Sequence, residues 1–431
     1  MTATVPLDTV ETPRLGRNRA FRLLWIGQAL SDFGSSMTFV VLPLVLLAAG
    51  CSPTAAATIG TASLVVALVT RIPAGYLSDR CDQRTLMLLC DLVRMTAVGV
   101  LAGWVLLRPL PITAALAAVI VSDAALEVFR PAQNTVLRRV VPAGQLGTAM
   151  SLNQARAYGA DIAAPAAAGL LLSLSPSVPF AVDALTFGVS ALCVAVAVRA
   201  RRDGRRSTRP ETGAARPGGP RLRTELAAGW RYLVGDRFMR CSAGYFAGLN
   251  VAFSALAFAL ILGVGRLPGG AVMVGTAMSA AAVVGLAGSL LTPLFQRHVP
   301  LKATLAAAPA LGAALLALAW SSGSTVAFVG GFCALCLLTP VGTATFATIM
   351  AVAVPEEIYG RVSTTSSLLA QLLQPFGPLA AGLLLARLSL PATAALFAVA
   401  LALLAGVPLV LPVPPRPGTP AQDPAQNGSP S

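Results

Sequence analysis

Long apolar runs of roughly 20 residues or more recur from one end of this chain to the other. A helix of that length rises about 1.5 Å per residue and crosses the ~30 Å hydrocarbon core of a bilayer. In lipid every backbone N–H and C=O must be satisfied within the chain, so repeated runs of this kind are read as helices packed side by side. Composition agrees: 56% of the 431 residues are hydrophobic and only 11% are charged, against about 25% charged in soluble domains. Punctuating Pro, Gly and Arg place the spans at 20–48, 55–78, 84–107, 111–140, 145–173 and 179–198. After a polar interval they resume at 238–264, 271–294, 302–320, 324–353, 361–386 and 391–412. The expected fold class is an all-α membrane protein with twelve transmembrane helices in two six-helix bundles. Its parts are 1–198, a linker at 199–237 with an interfacial helix, 238–412, and a disordered tail at 413–431.

Charge sets the expected orientation. If the N-terminus is cytoplasmic, the outer loops hold only Arg108, Arg266 and Arg387, and Arg71, Arg94, Arg130 and Arg156 lie within spans; the other 24 of the 31 Lys and Arg fall on the inner side. Basic residues are retained on the cytoplasmic face, so both termini are expected there, in the cell membrane. The net charge of +14 is read the same way, which argues against nucleic acid as a partner. The first apolar run follows Arg14, Arg17, Arg19 and Arg22, is too long for a signal peptide, and is expected to remain in the mature protein. In "RLRTELAAGWRYLVGDRF", Leu222, Leu226, Trp230 and Leu233 share one helical face, as an interfacial helix requires.

The two halves repeat. The segment from Val141, "VPAGQLGTAMSLNQARAYGADIAAPAAAGLL", aligns without gaps on that from Val354, "VPEEIYGRVSTTSSLLAQLLQPFGPLAAGLL". Pro142 falls on Pro355, Gly147 on Gly360, Pro165 on Pro378 and Gly169 on Gly382. Span 5 therefore echoes span 11, the signature of a duplicated transporter with its site between the halves.

The stretch "AGYLSDRCDQRTLMLL" places Gly75, Asp79, Arg80, Asp82 and Arg84 between spans 2 and 3. It resembles the loop between helices 2 and 3 of the major facilitator superfamily, often called motif A, with Gln83 where Arg or Lys is usual. A degenerate second copy, "TPLFQRHVPLK", keeps Leu294 and Arg297 but has Gln296 in place of the acid. "FRLLWIGQALSDFGSSM", "FRPAQNTVLRRVVP" and "VDALTFGVSAL" are similar to the efflux branch that includes macrolide and siderophore exporters. Span 5 resembles the Gly-Pro-x-x-Gly-Gly element of proton-coupled antiporters, with Ala164-Pro165 and Ala168-Gly169 as the local variants. Small residues around a proline also let helices approach closely in lipid, so Pro165, Gly169, Pro378 and Gly382 are equally read as packing positions. The charged loop is read as a cytoplasmic latch that holds the halves together when the cavity faces outward: Asp91 and Arg94, early in span 3, lie within its reach as a pair tied to the gate, and the repeat geometry brings Asp79 near the start of span 11, around Gly360 and Arg361.

A carboxylate at the bilayer centre costs at least ~2.5 kcal/mol, so intramembrane acids are expected to be paired, cavity-facing or functional. Asp32 lies about twelve residues into span 1 with Gln28 and Ser36 one turn to either side. Asp123, Glu127, Arg130 and Asn134 share a face of span 4, and Glu127 with Arg130 is read as an ion pair or a substrate contact. Gln154 and Asp161 share a face of span 5, while Asp183 lies close to the start of span 6. Spans 7 to 12 carry no acid except at their boundaries, so coupling is assigned to the N-terminal half, with Asp32 first and Glu127 second.

No phosphate-binding loop is present, because the sole lysine, Lys302, precedes alanine; the sole histidine, His298, has no metal-binding motif around it. Cys333 and Cys336 have C-x-x-C spacing but lie mid-span, where they are read as small packing residues. The expectation is a non-enzymatic secondary transporter without cofactor or metal, monomeric, exporting a hydrophobic or amphipathic small molecule in exchange for protons. Phe39, Phe253 and Phe258 are candidate apolar contacts. Nutrient uptake on the same fold is the alternative, ahead of a transporter-like receptor or an intramembrane enzyme.

Overall fold

The computed structural model describes residues 15–199 and 230–410. Its helices are α1 (Arg19–Ala48), α2 (Pro53–Arg80), α3 (Gln83–Leu107), α4 (Ile112–Val140), α5 (Leu146–Leu174), α6 (Val178–Arg199) and α7 (Arg237–Val264). They continue with α8 (Gly270–His298), α9 (Leu301–Ser322), α10 (Thr325–Ala353), α11 (Glu356–Leu372), α12 (Phe376–Arg387) and α13 (Leu390–Val410). Among the described residues, 12 spans are long and apolar enough to cross a membrane, α11 and α12 jointly forming the eleventh. No strand occurs among the described residues. Of the predicted interfacial helix, residues 230–235 are helical and Leu233 is buried; the remainder lies outside the described residues, as do the predicted tail and the chain's first 14 residues.

Short polar side chains start several helices. Asn18, Ser52, Asp236 and Ser324 each accept a hydrogen bond from the backbone N–H three residues on, satisfying a donor that the first turn leaves free. Span 11, expected as one helix, breaks at residues 373–375. Pro375 has no N–H to donate to the Gln371 carbonyl, and the chain crosses the gap with three-residue turns, Phe376 to Leu373 and Gly377 to Gln374.

The packing repeats as the sequence does. In the first half α1 pairs with α5 and α6, α3 with α4 and α6, and α2 with α4. In the second half α7 pairs with span 11 and α13, α9 with α10 and α13, and α8 with α10. Each contact of one half thus has its counterpart six spans on. The halves meet through two further equivalent pairs, α5 with α8 and α2 with α12. α7 is buried along most of its length, from Phe238 to Val264.

The α2 contact falls on α12, not α11, so it belongs to the membrane side opposite the chain ends. There Thr54 donates to the Gly382 carbonyl (3.2 Å) and Thr61 to the Pro375 carbonyl (3.1 Å). Toward the side of the chain ends, α2 and α11 part, and the space between the halves opens that way.

Candidate substrate and coupling site

Between the halves lies a cavity of about 590 Å³. Its second-half wall is apolar and aromatic, built from Phe253, Phe258, Met278 and Phe332. Phe253 and Phe332 pack at a tilt of 41° with centroids 5.3 Å apart, and Phe39 of α1 meets Phe258 edge-on at 5.6 Å. The first-half wall carries the carboxylates Asp123 and Asp161 with Ser35, Ser36 and Ser63, set among apolar residues such as Phe39 and Leu126. Phe39, Phe253 and Phe258, which sequence could not separate from packing residues, all line this space. The cavity therefore has one face for an apolar body and one for a charge.

A second, more polar chamber of about 410 Å³ adjoins it within the first half. Helix periodicity on α1, α4 and α5 delivers Gln28, Asp32, Arg130, Asn134, Gln154 and Asp161 to its wall, together with Arg94 and Arg156. Asp32 Oδ2 lies 3.1 Å from Arg156 Nη2. One turn on, the Ser36 hydroxyl donates to Asp161 Oδ1 at 2.8 Å. Asp161 lines both spaces, and no arginine nitrogen reaches within 4 Å of it or of Asp123 among the described residues. Glu127 is held instead by Arg130 at 3.0 Å and Arg71 at 3.6 Å.

The structure departs from expectation at α3. Asp91 and Arg94 make no ion pair. The Ser190 hydroxyl donates to Asp91 Oδ2 (2.7 Å), while Arg94, 2% exposed, donates to Ser31 and Ser35 and lies 4.0 Å over the Phe187 ring. Arg84 Nη2 donates to the Ala195 carbonyl of α6 (3.0 Å). Asp183, assigned to the edge of span 6, is buried and accepts hydrogen bonds from Thr38 and Thr186.

Within the charged loop the residues have separate tasks. Asp82 caps α3 by accepting from the Thr85 N–H and hydroxyl (2.9 and 2.8 Å). The Gln83 amide closes the turn against Ser78 and Cys81. Arg80 lies 4.1 Å over the Tyr76 ring. Gly75 lies in the last turns of α2, where a Cβ would meet no other element. Asp79 and Gly360 are both exposed, and among the described residues no hydrogen bond or ion pair joins Asp79 to span 11, so the approach expected with the cavity facing outward is not made in this conformer.

The repeated Pro and Gly positions lie at the two contacts between halves. A Cβ on Gly169 would meet the Ala271 carbonyl at 2.8 Å, and one on Gly382 would meet the Pro53 carbonyl at 2.8 Å. Pro165 and Pro378 are buried one turn before each glycine. Sequence reading assigned Arg94 to the gate with Asp91, not to this chamber, and missed Arg156 and Arg71 as participants. It counted them as charges in spans, yet an arginine in lipid signals a nearby acceptor as surely as an acid does. No group of three or more His, Cys, Asp or Glu is placed to hold a metal among the described residues.

The profile of the Major Facilitator Superfamily matches residues 24–374. The chain belongs to that superfamily. Solved structures with the superfamily's fold resemble it over nearly their whole lengths. The nucleoside transporter NupG has a TM-score of 0.70 at 12% identity, covering 91% of this chain and 99% of that one. A POT family transporter in complex with a thioalcohol-conjugated peptide gives 0.68 at 12%, covering 91% and 96%. A bacterial homologue of the iron transporter ferroportin, in an inward-facing state, gives 0.63 at 16%, covering 91% and 98%. No curated protein matches the chain significantly. The protein is a membrane transporter of the major facilitator fold.

Proposed function

We propose that the protein exports an amphipathic small molecule bearing a positive charge, in exchange for protons. The observation that carries this reading is the two-faced cavity, aromatic on one wall and carboxylate-bearing on the other. In the interiors of α1–α6, six carboxylates (Asp32, Asp91, Asp123, Glu127, Asp161, Asp183) accompany four arginines (Arg71, Arg94, Arg130, Arg156), an excess of two. Asp123 and Asp161 face the cavity without an arginine partner. An uncompensated acid in a membrane interior requires a proton or a cationic ligand. Asp32, bound to Arg156 in the chamber beside the substrate space, is the coupling residue: protonation releases Arg156, and deprotonation recaptures it. Glu127, with its two arginines, is the second choice.

The chain would lie in the cell membrane as a monomer, with both termini cytoplasmic and the bundles at 1–198 and 238–412 rocking about the cavity. Under that orientation the present conformer opens inward. The resemblance of spans 1, 4 and 6 to efflux proteins supports export.

Tetraphenylphosphonium and tetraphenylborate are nearly identical in shape and opposite in charge, and test the cavity's preference. Protein in lipid nanodiscs should bind the phosphonium saturably and at least about tenfold more tightly than the borate, corresponding to ~1.4 kcal/mol. Asp161→Asn should erase that preference. Equal binding of the two ions by the wild type would remove the charge from the substrate class.

A further inference from the structure

α2 and span 11 run antiparallel and touch at a series of levels. From the closed end inward these are Thr54 with the Gly382 carbonyl, Thr61 with the Pro375 carbonyl, and Arg71 with Gln371. Beyond Arg71 no hydrogen bond or ion pair joins the two spans among the described residues. The last level differs from the others. Seven residues separate Thr54 from Thr61 and seven separate Gly382 from Pro375, but the next step is ten residues on α2 and four on span 11. At roughly 1.5 Å per residue the two helices are out of step by about 9 Å there. The offset lies along the helix axes and the long Arg71 side chain spans it, while α2 packs on α12 and only sparsely on α11.

Arg71 is fixed at both ends of its guanidinium. Nε lies 3.6 Å from Glu127 Oε2, on a carboxylate that Arg130 also holds, and Nη1 donates to Gln371 Oε1 at 3.0 Å. The group stands in a cleft of about 230 Å³ between α2, α4 and span 11, lined also by Asp123 and Gln374. Both helices are weakened at this level. Pro73 removes the hydrogen bond to the Val69 carbonyl two residues past Arg71, and Pro375 removes the bond to the Gln371 carbonyl itself.

We infer that Arg71 is a positioning residue of the transport cycle: its tie to Gln371 across this cleft is made while α2 and span 11 are parted on the side of the chain ends, and so favours the conformer seen here. Closing that side would bring the two helices together and collapse the cleft. The guanidinium, anchored by Glu127, would then have to leave Gln371 or lose its access to water. A neutral amide as the partner keeps the tie weak enough to be broken in each cycle, since a contact made in one state biases the equilibrium only by its differential free energy. A carboxylate at the same position would turn the tie into an ion pair.

This inference rests on alternating access, as the proposed function does, but not on the substrate or the coupling ion. The test therefore needs neither. Genetically encoded spin labels at positions 81 and 361, both exposed at the parting ends of α2 and α11, report the separation by pulsed dipolar spectroscopy on purified full-length protein. Gln371→Glu should raise the ratio of long to short distances and Gln371→Leu should lower it, each by roughly threefold, the scale of one partly exposed charged contact. Arg71→Gln should reproduce the Gln371→Leu distribution and make the glutamate and leucine substitutions equivalent, a check that stands even if Gln371→Glu alone folds poorly. A purely structural role would move both Gln371 variants in one direction. That result, or unchanged distributions in Gln371→Leu and Arg71→Gln, would overturn the inference.

Discussion

Arg156 Nη2 lies 3.1 Å from Asp32 Oδ2 and joins α5 to α1 inside the polar chamber. The two partners are unequally covered: the Arg156 side chain is 8% exposed and that of Asp32 is 31%. Removing one partner strands the other, and the stranded charge is costlier the more deeply it is buried. Asp32→Asn should therefore lower the apparent melting temperature in detergent more than Arg156→Gln does. The double variant should recover part of the loss, with a coupling of about 0.5–3 kcal/mol. Additive losses would show that the pair is not formed in the protein.

Gly169 and Gly382, matched by the internal repeat, occupy equivalent places in the two contacts between halves. Each puts a helix backbone within contact of the other half's backbone, so even a methyl group must displace main chain. Overpacking of this kind costs about 1–3 kcal/mol. Either glycine changed to alanine should open the side opposite the chain ends. Hydrogen exchange followed by mass spectrometry should show lost protection in residues 49–56 and 265–270, with insertion intact; unchanged protection would mean these contacts do not hold that side closed.

Asp79 and Asp82 differ in their work although they stand three residues apart. Asp82 is a helix cap, and asparagine caps about as well, so Asp82→Asn should change little. Asp79 is exposed and makes no hydrogen bond or ion pair among the described residues. In the alternate conformer it would reach the N-terminal end of α11, an interaction worth roughly 0.3 to 1 kcal/mol when exposed and up to ~2 if partly buried. Asp79→Asn should shift the population further toward the present conformer and lower flux. Distances between positions 81 and 361 that match the wild type in both variants would reduce Asp79 to a loop residue.

Orientation rests on arginine placement. Reporter fusions at Gly204 and Ser431 should both read as cytoplasmic, and an external signal from either would invert the account of which side is open.

Much of the architecture was legible in the sequence because lipid imposes a single length scale on every span. The repeat from Val141 to Val354 foretold more than duplication. Its aligned residues Gly169 and Gly382 fall where α5 meets α8 and where span 11 meets α2. Helical periodicity put Gln28 with Asp32 on one face of α1 and Gln154 with Asp161 on one face of α5; the structure brings both faces to the chamber within the first half, where Gln28 and Asp32 stand instead of at the central cavity. What it could not supply was the register between helices. That register decides that Asp32 takes Arg156, that Asp91 takes Ser190 instead of Arg94, and that Asp183 is covered by Thr38. The break in span 11 was carried by Pro375, but a proline inside an apolar run marks a kink as readily as an interruption. α1, α4, α5 and α10 each contain a proline without breaking.

Proton-driven transport is the central claim, and gradient-driven flux in proteoliposomes tests it most directly. With the membrane potential clamped, vesicles acidic inside should accumulate tetraphenylphosphonium through the wild-type protein as protons leave. Asp32→Asn, inserted to the same level, should lose the response to the pH gradient. Accumulation by the wild type that ignores the gradient, or full gradient-driven accumulation by Asp32→Asn, would contradict proton exchange through Asp32.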